Sequence, residues 1–91
     1  MGEVLDTMSI VAMKKPYTYK QGQYLAFIYH YTKLNRQAPA EADMQRFFRV
    51  TPPSVHQMVL TLEAKGLIAR TPWTARSIRL LIPHEELPEL E

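Results

Sequence analysis

The chain has 91 residues, 46% of them hydrophobic, with no cysteine and a formal net charge of +2. That suits one small domain, too apolar for a disordered chain, whose core must hold without a disulfide staple. No apolar run approaches the roughly 20 residues of a membrane-spanning helix, and the early acids Glu3 and Asp6 reverse the charge order of a secretion signal, so a cytoplasmic location is expected.

Residues 1–16 show no sustained periodicity and end at Pro16, the pattern of a flexible arm or a weakly ordered first helix. Thr18 is a suitable N-cap for a helix running through Gln21 to about Asn35. Its apolar face comes from Leu25 and Ile28, widened by Tyr24 and Phe27, and Pro39 blocks any continuation. Residues 41–48 predict a short second helix with Met44, Phe47 and Phe48 as its buried side. Glu41 and Asp43 favour its first turn through the helix dipole. Its cap position holds Ala40, a weakness of roughly 1 kcal/mol.

Arg49-Val50 forms a tight connection to Thr51-Pro52-Pro53, which reads as a helix start. Thr51 caps, and both prolines fall in the first turn, where an N–H has no intrahelical acceptor. The third helix runs to about Lys65 with Val55, Val59 and Leu62 as its core stripe, and Gly66 supplies a left-handed stop. The period then changes from helical to alternating. Residues 67–70 and 77–82 predict two strands of a hairpin, joined by a turn-prone loop that contains Pro72 and Trp73. Pro83 ends the second strand, leaving residues 83–91 as an acidic tail.

The pattern is therefore mainly α with a small β-hairpin: three helices plus a two-stranded wing, a winged helix-turn-helix over residues 17–82. The second helix, turn and third helix form the helix-turn-helix. Once Val55, Val59 and Leu62 are buried, the opposite face of the third helix is free to enter a major groove. Charge agrees with such a partner. Between Tyr17 and Ile82 stand nine Lys or Arg against three acids, and the four glutamates after Ile82 mask this surplus in the net value.

The stretch from Tyr19 to Leu81 resembles the N-terminal DNA-binding domain of the LexA repressor family. The matching residues are Lys20-Gln21, Leu25 and Ile28; Glu41-Ala42-Asp43-Met44 through Phe48; Thr51-Pro52; Glu63-Ala64-Lys65-Gly66-Leu67-Ile68; and Arg76-Ser77-Ile78-Arg79-Leu80-Leu81. The resemblance implies double-stranded DNA as partner and a role in transcription regulation. It places Pro53, Ser54, His56 and Gln57 at base-facing positions and Lys20 on backbone phosphates. The family usually has Thr or Ser where Ala40 stands and Gly near Arg49. A left-handed Arg49 costs roughly 1 kcal/mol, so a somewhat different turn is expected here. The family also has a self-cleaving domain with a Ser–Lys pair, which these 91 residues do not include, so no protease activity is expected.

Side-chain chemistry refines the candidates. Gln57 can pair with adenine N6 and N7, and His56 can donate to guanine or to a phosphate. Ser54, together with the free N–H groups after Thr51, suits a phosphate. Arg49 and Arg76 are candidate backbone contacts from the turn and the wing. Trp73 is expected to pack back on the hairpin or against a second subunit, with a minor-groove wedge as the alternative.

Other readings stay open at this point. A winged helix can serve as a protein-interaction module, and a homodimer is possible. The five tyrosines, at 17, 19, 24, 29 and 31, could stack on single-stranded bases. An enzyme is not expected: His30, His56 and His84 lack metal-ligand spacing, and Ser54 and His56 point in different directions on a helix. No cofactor, metal, membrane or small-molecule ligand is implied.

Overall fold

The computed structural model describes residues 15–91, so most of the proposed N-terminal arm lies outside the described residues. Helix α1 spans Tyr19–Asn35. It starts in a capping box: Thr18 Oγ1 accepts from the Gln21 N–H at 3.2 Å, and Gln21 Oε1 accepts from the Thr18 N–H at 3.0 Å. Tyr24, Leu25, Phe27 and Ile28 are buried as the spacing predicts. Arg36 ends the helix in the left-handed region, with φ +57°, and its N–H returns to the Thr32 carbonyl.

Helix α2 spans Glu41–Phe48. Ala40 has no side-chain acceptor, yet the helix start is not bare: the Asp43 carboxylate accepts from the Ala40 N–H at 2.8 Å. Half of a capping box therefore offsets the missing hydroxyl. Met44 is fully buried, but Phe47 stays 46% exposed, against expectation. Phe47 lies at the rim of the core, where its ring meets Phe27 at 4.7 Å, while Phe48 takes the inner place by stacking on Tyr24 at 4.1 Å. The turn that follows keeps a left-handed residue without glycine, since Arg49 has φ +56°. Arg49 thus takes up the left-handed conformation itself, at the cost such a conformation carries for a residue with a Cβ.

Helix α3 spans Pro52–Ala64 and begins as predicted, with Thr51 Oγ1 accepting from the Ser54 N–H and proline in the first turn. Val55, Val59 and Leu62 are completely buried. The end is a Schellman motif around Gly66, at φ +75°. The Gly66 N–H returns to Glu63, and the Leu67 N–H returns to Leu62.

Strands β1, Ile68–Ala69, and β2, Arg79–Leu80, pair antiparallel with Ile68 opposite Leu80. A further bond from the Leu81 N–H to Leu67 extends the ladder by one rung. Both strands are shorter than the alternation predicted, because the loop between them folds on itself. Ser77 Oγ accepts from the Thr71 N–H at 2.9 Å and lies at hydrogen-bond distance from the Thr71 and Thr74 carbonyls. Those bonds replace the outer rungs of the ladder.

The acidic tail lies along α1. After a single 3-10 turn, His84–Glu86, Leu87 and Leu90 pack on the core. Gln23 clamps the segment from both sides of its amide: Nε2 donates to the Glu89 carbonyl at 2.9 Å, and Oε1 accepts from the Glu91 N–H at 2.8 Å. Gly22 makes the approach possible, since a Cβ there would meet the Tyr17 ring at 2.7 Å and Pro88 at 3.1 Å.

Candidate nucleic-acid interface

Helix α3 turns Val55, Val59 and Leu62 inwards, so Pro53, Ser54, His56 and Gln57 are all exposed on its outer side. A groove borders this face on each side. The first lies against the start of α1 and is lined by Lys20, Val50, Pro53, Ser54, Gln57 and Thr61. It brings together four of the residues predicted from sequence. The second, of about 590 Å³, lies against the wing; His56 and Glu41 line one wall, Trp73 and Thr74 the other.

The polar groups of this face differ in how free they are. The Thr51 and Ser54 hydroxyls lie 2.9 Å apart and satisfy each other. This tightens the first turn, but the free N–H groups expected after Thr51 are not there: Pro52 and Pro53 carry none, the Ser54 N–H is taken by Thr51 Oγ1, and the Val55 N–H by the Thr51 carbonyl. His56 Nδ1 lies 3.2 Å from the Glu41 carboxylate, so Nε2 is the ring nitrogen available to a partner. Gln57 makes no side-chain hydrogen bond to any described residue, which leaves both ends of its amide open. Lys20 and Arg49 are exposed and form no ion pair among the described residues.

Arg76 is placed differently from the free wing cation that its position suggests. With φ +56° the chain turns its side chain back onto the helices. Its Nη1 donates to Asp43 Oδ2 at 3.1 Å, to the Tyr31 hydroxyl at 3.1 Å and to the Ala38 carbonyl at 3.2 Å. Asp43 also pairs with Arg46 at 2.6 Å. Burial alone would raise the Asp43 carboxyl. The Ala40 N–H, the Arg76 charge, the Tyr31 hydroxyl and Arg46 together outweigh it and hold the group below the ordinary carboxylate value. Arg70 is likewise engaged, by Glu63 at 3.1 Å. Arg79 is the wing arginine without an ion pair among the described residues.

Local pattern could not assign Asp43 its part, because its partners lie on α1 and in the wing. Trp73 does not pack back on the hairpin as one expectation had it: it is fully exposed. The tyrosines do not form one stacking platform. Tyr24 stacks on Phe48, Tyr29 on His84, Tyr31 receives Arg76, and Tyr17 and Tyr19 bond the tail at Glu86 and Glu91. Among the described residues no helix is long and apolar enough to cross a membrane, and no cluster of metal-ligating side chains occurs.

Three helices, an open polar face on the third, and a two-stranded hairpin directly after it define a winged helix-turn-helix domain. The LexA DNA binding domain family matches residues 14–77. The LexA repressor of Thermosipho melanesiensis is 38% identical over 73 residues, which cover 80% of this chain and 37% of that protein. The LexA repressor of Thermosipho africanus is 40% identical over 67 residues, covering 74% and 34%. The chain belongs to the LexA DNA-binding domain family. It spans about a third of the length of these relatives.

Proposed function

We propose that this domain binds double-stranded DNA sequence-specifically as the reading head of a transcriptional regulator, acting in the cytoplasm where the DNA lies. The observation that carries this is the exposed face of α3, set between two grooves with Lys20 on the rim of one and the wing on the other. A helix seated in a major groove presents its outer face to base edges and its flanks to the two phosphate strands.

Gln57 pairs with an adenine, and Nε2 of His56 meets a base or a phosphate. Pro53 adds apolar contact to the groove floor, and the exposed Ser54 hydroxyl meets a phosphate. Thr51 keeps that turn in shape. Lys20, Arg49 and Arg79 take phosphates, while Arg76 fixes the wing in position through Asp43. Two copies on half-sites one helical turn apart would raise affinity for a palindrome.

Fluorescence anisotropy with duplexes selected from a random pool tests the reading. Three phosphate contacts give a log–log salt slope of about −2.7. Gln57→Ala should relax preference at one base pair by about 1–3 kcal/mol while leaving that slope unchanged. Undetectable binding to any duplex at low salt would refute the proposal.

A further inference from the structure

Trp73 is the one tryptophan of the chain and stands fully exposed at the tip of the wing. The backbone beneath it is strained. The Thr74 N–H closes a four-residue turn on the Thr71 carbonyl at 3.2 Å, with Pro72 second and Trp73 third. Trp73 has φ +63°, the conformation that a type II turn reserves for glycine at this position. A bulky aromatic residue there is a marked exception. Strain held in place by surrounding structure is a pointer to function.

Two braces do the holding. Ser77 Oγ ties Thr71 to Thr74, and Arg76 anchors the base of the loop to Asp43 on α2. The tip is thus fixed relative to the helix-turn-helix rather than swinging from a free hairpin. It lines the same cleft as His56, so it lies on the side of the molecule where α3 presents its open face. From Ile68 to Ile82 the wing carries no acid, and with Arg70 and Arg76 held by Glu63 and Asp43 its exposed Arg79 is the wing cation left without an ion pair among the described residues, which suits a polyanionic partner.

We infer that Trp73 seats in the minor groove of the duplex flanking the stretch read by α3, as an apolar wedge against the base steps. The inference rests on the DNA-binding reading above and adds a specificity determinant to it. An inserted ring partly unstacks the step it enters, so flanks with easily deformed pyrimidine–purine steps are favoured over stiff A-tracts. No hydrogen bond to a base is needed for that preference.

The single tryptophan makes the test direct. Anisotropy of a labelled duplex reports binding, and Trp73 emission with iodide quenching reports burial of the ring on the same sample. Saturating duplex should shift the emission to the blue and shield it from iodide. Trp73→Gly should weaken binding about tenfold, or about 1.4 kcal/mol, and abolish the preference for a TA step in the flank. Its melting temperature should not fall, because glycine relieves the left-handed strain. Trp73→Phe should retain most of the affinity.

Duplex binding with unchanged emission and quenching would overturn this inference and leave the DNA-binding reading intact. Loss of all duplex binding by the parent chain would remove both. Emission that shifts with protein concentration in the absence of DNA would assign the ring to a second copy and overturn the inference. So would a lowered melting temperature of Trp73→Gly, which would make the residue structural.

Discussion

Gln23 and Asp43 are the two buried polar side chains of the described fold, and each holds an irregular segment against the helices. Gln23 holds the tail with a neutral amide that meets two backbone groups. Asp43 holds the wing with a charge, shared among Arg76, Arg46 and the Ala40 N–H. The amide clamp is satisfied at both ends by its own segment and depends on nothing else. The carboxylate clamp links three parts of the molecule at once: the start of α2, the base of the wing, and α1 through Tyr31, which shares Arg76. Neutral clamps are insensitive to pH and salt, whereas charged ones bring strength together with sensitivity.

The comparison can be broken most forcefully at Asp43. Asp43→Ala removes the cap substitute of α2 and leaves Arg76 without its anion. We expect a loss of about 2 kcal/mol, below the 3–5 kcal/mol of a fully buried pair because both arginines reach solvent. Urea midpoints at neutral pH measure it. The pH dependence comes next. The folded carboxyl titrates below its unfolded value near 3.8, so its contribution is complete above that value and is lost as pH falls through the folded one. Acid titration followed by circular dichroism should show a shallower loss for Asp43→Asn than for the parent. Smallest is Gln23→Ala, at about 1 kcal/mol, since the freed backbone groups of the tail lie near water. Its acid profile should run parallel to the parent's; a changed slope would erase the contrast between the clamps.

Legibility in the sequence followed the range of the interactions. The start of α3 rests on Thr51, Pro52 and Ser54, and its stop on Gly66 and Leu67, all within a few residues of one another. Those features and the stripe of Val55, Val59 and Leu62 could be derived from local chemistry and period. The wing could be placed but not shaped. Alternation around Arg70 and Ser77 predicts strands of four and six residues, while the placement of Arg76 depends on Asp43, 33 residues upstream. The tail shows the same limit. Its four glutamates suggest a solvated segment, and the docking of Leu87 and Leu90 depends on Gln23 and Gly22, more than 60 residues away in sequence. At the interface, exposure of Gln57 and Ser54 followed from helix phase, but whether each cation is free or engaged did not.

The Asp43–Arg76 contact has a kinetic consequence. It closes a stretch of 33 residues, and the Gln23–Glu89 contact closes 66, whereas α2, its turn and α3 are contiguous. Loop-closure entropy must be overcome before such distant contacts return any stabilisation, so the helical body should assemble first and the wing and tail dock late. Arg76→Ala, which frees the wing but leaves the Asp43 cap of α2 in place, would then refold at nearly the parent rate and unfold faster. On a growing chain, α1 to α3 are all made before the wing arginines and the tail, and the same order would hold during synthesis.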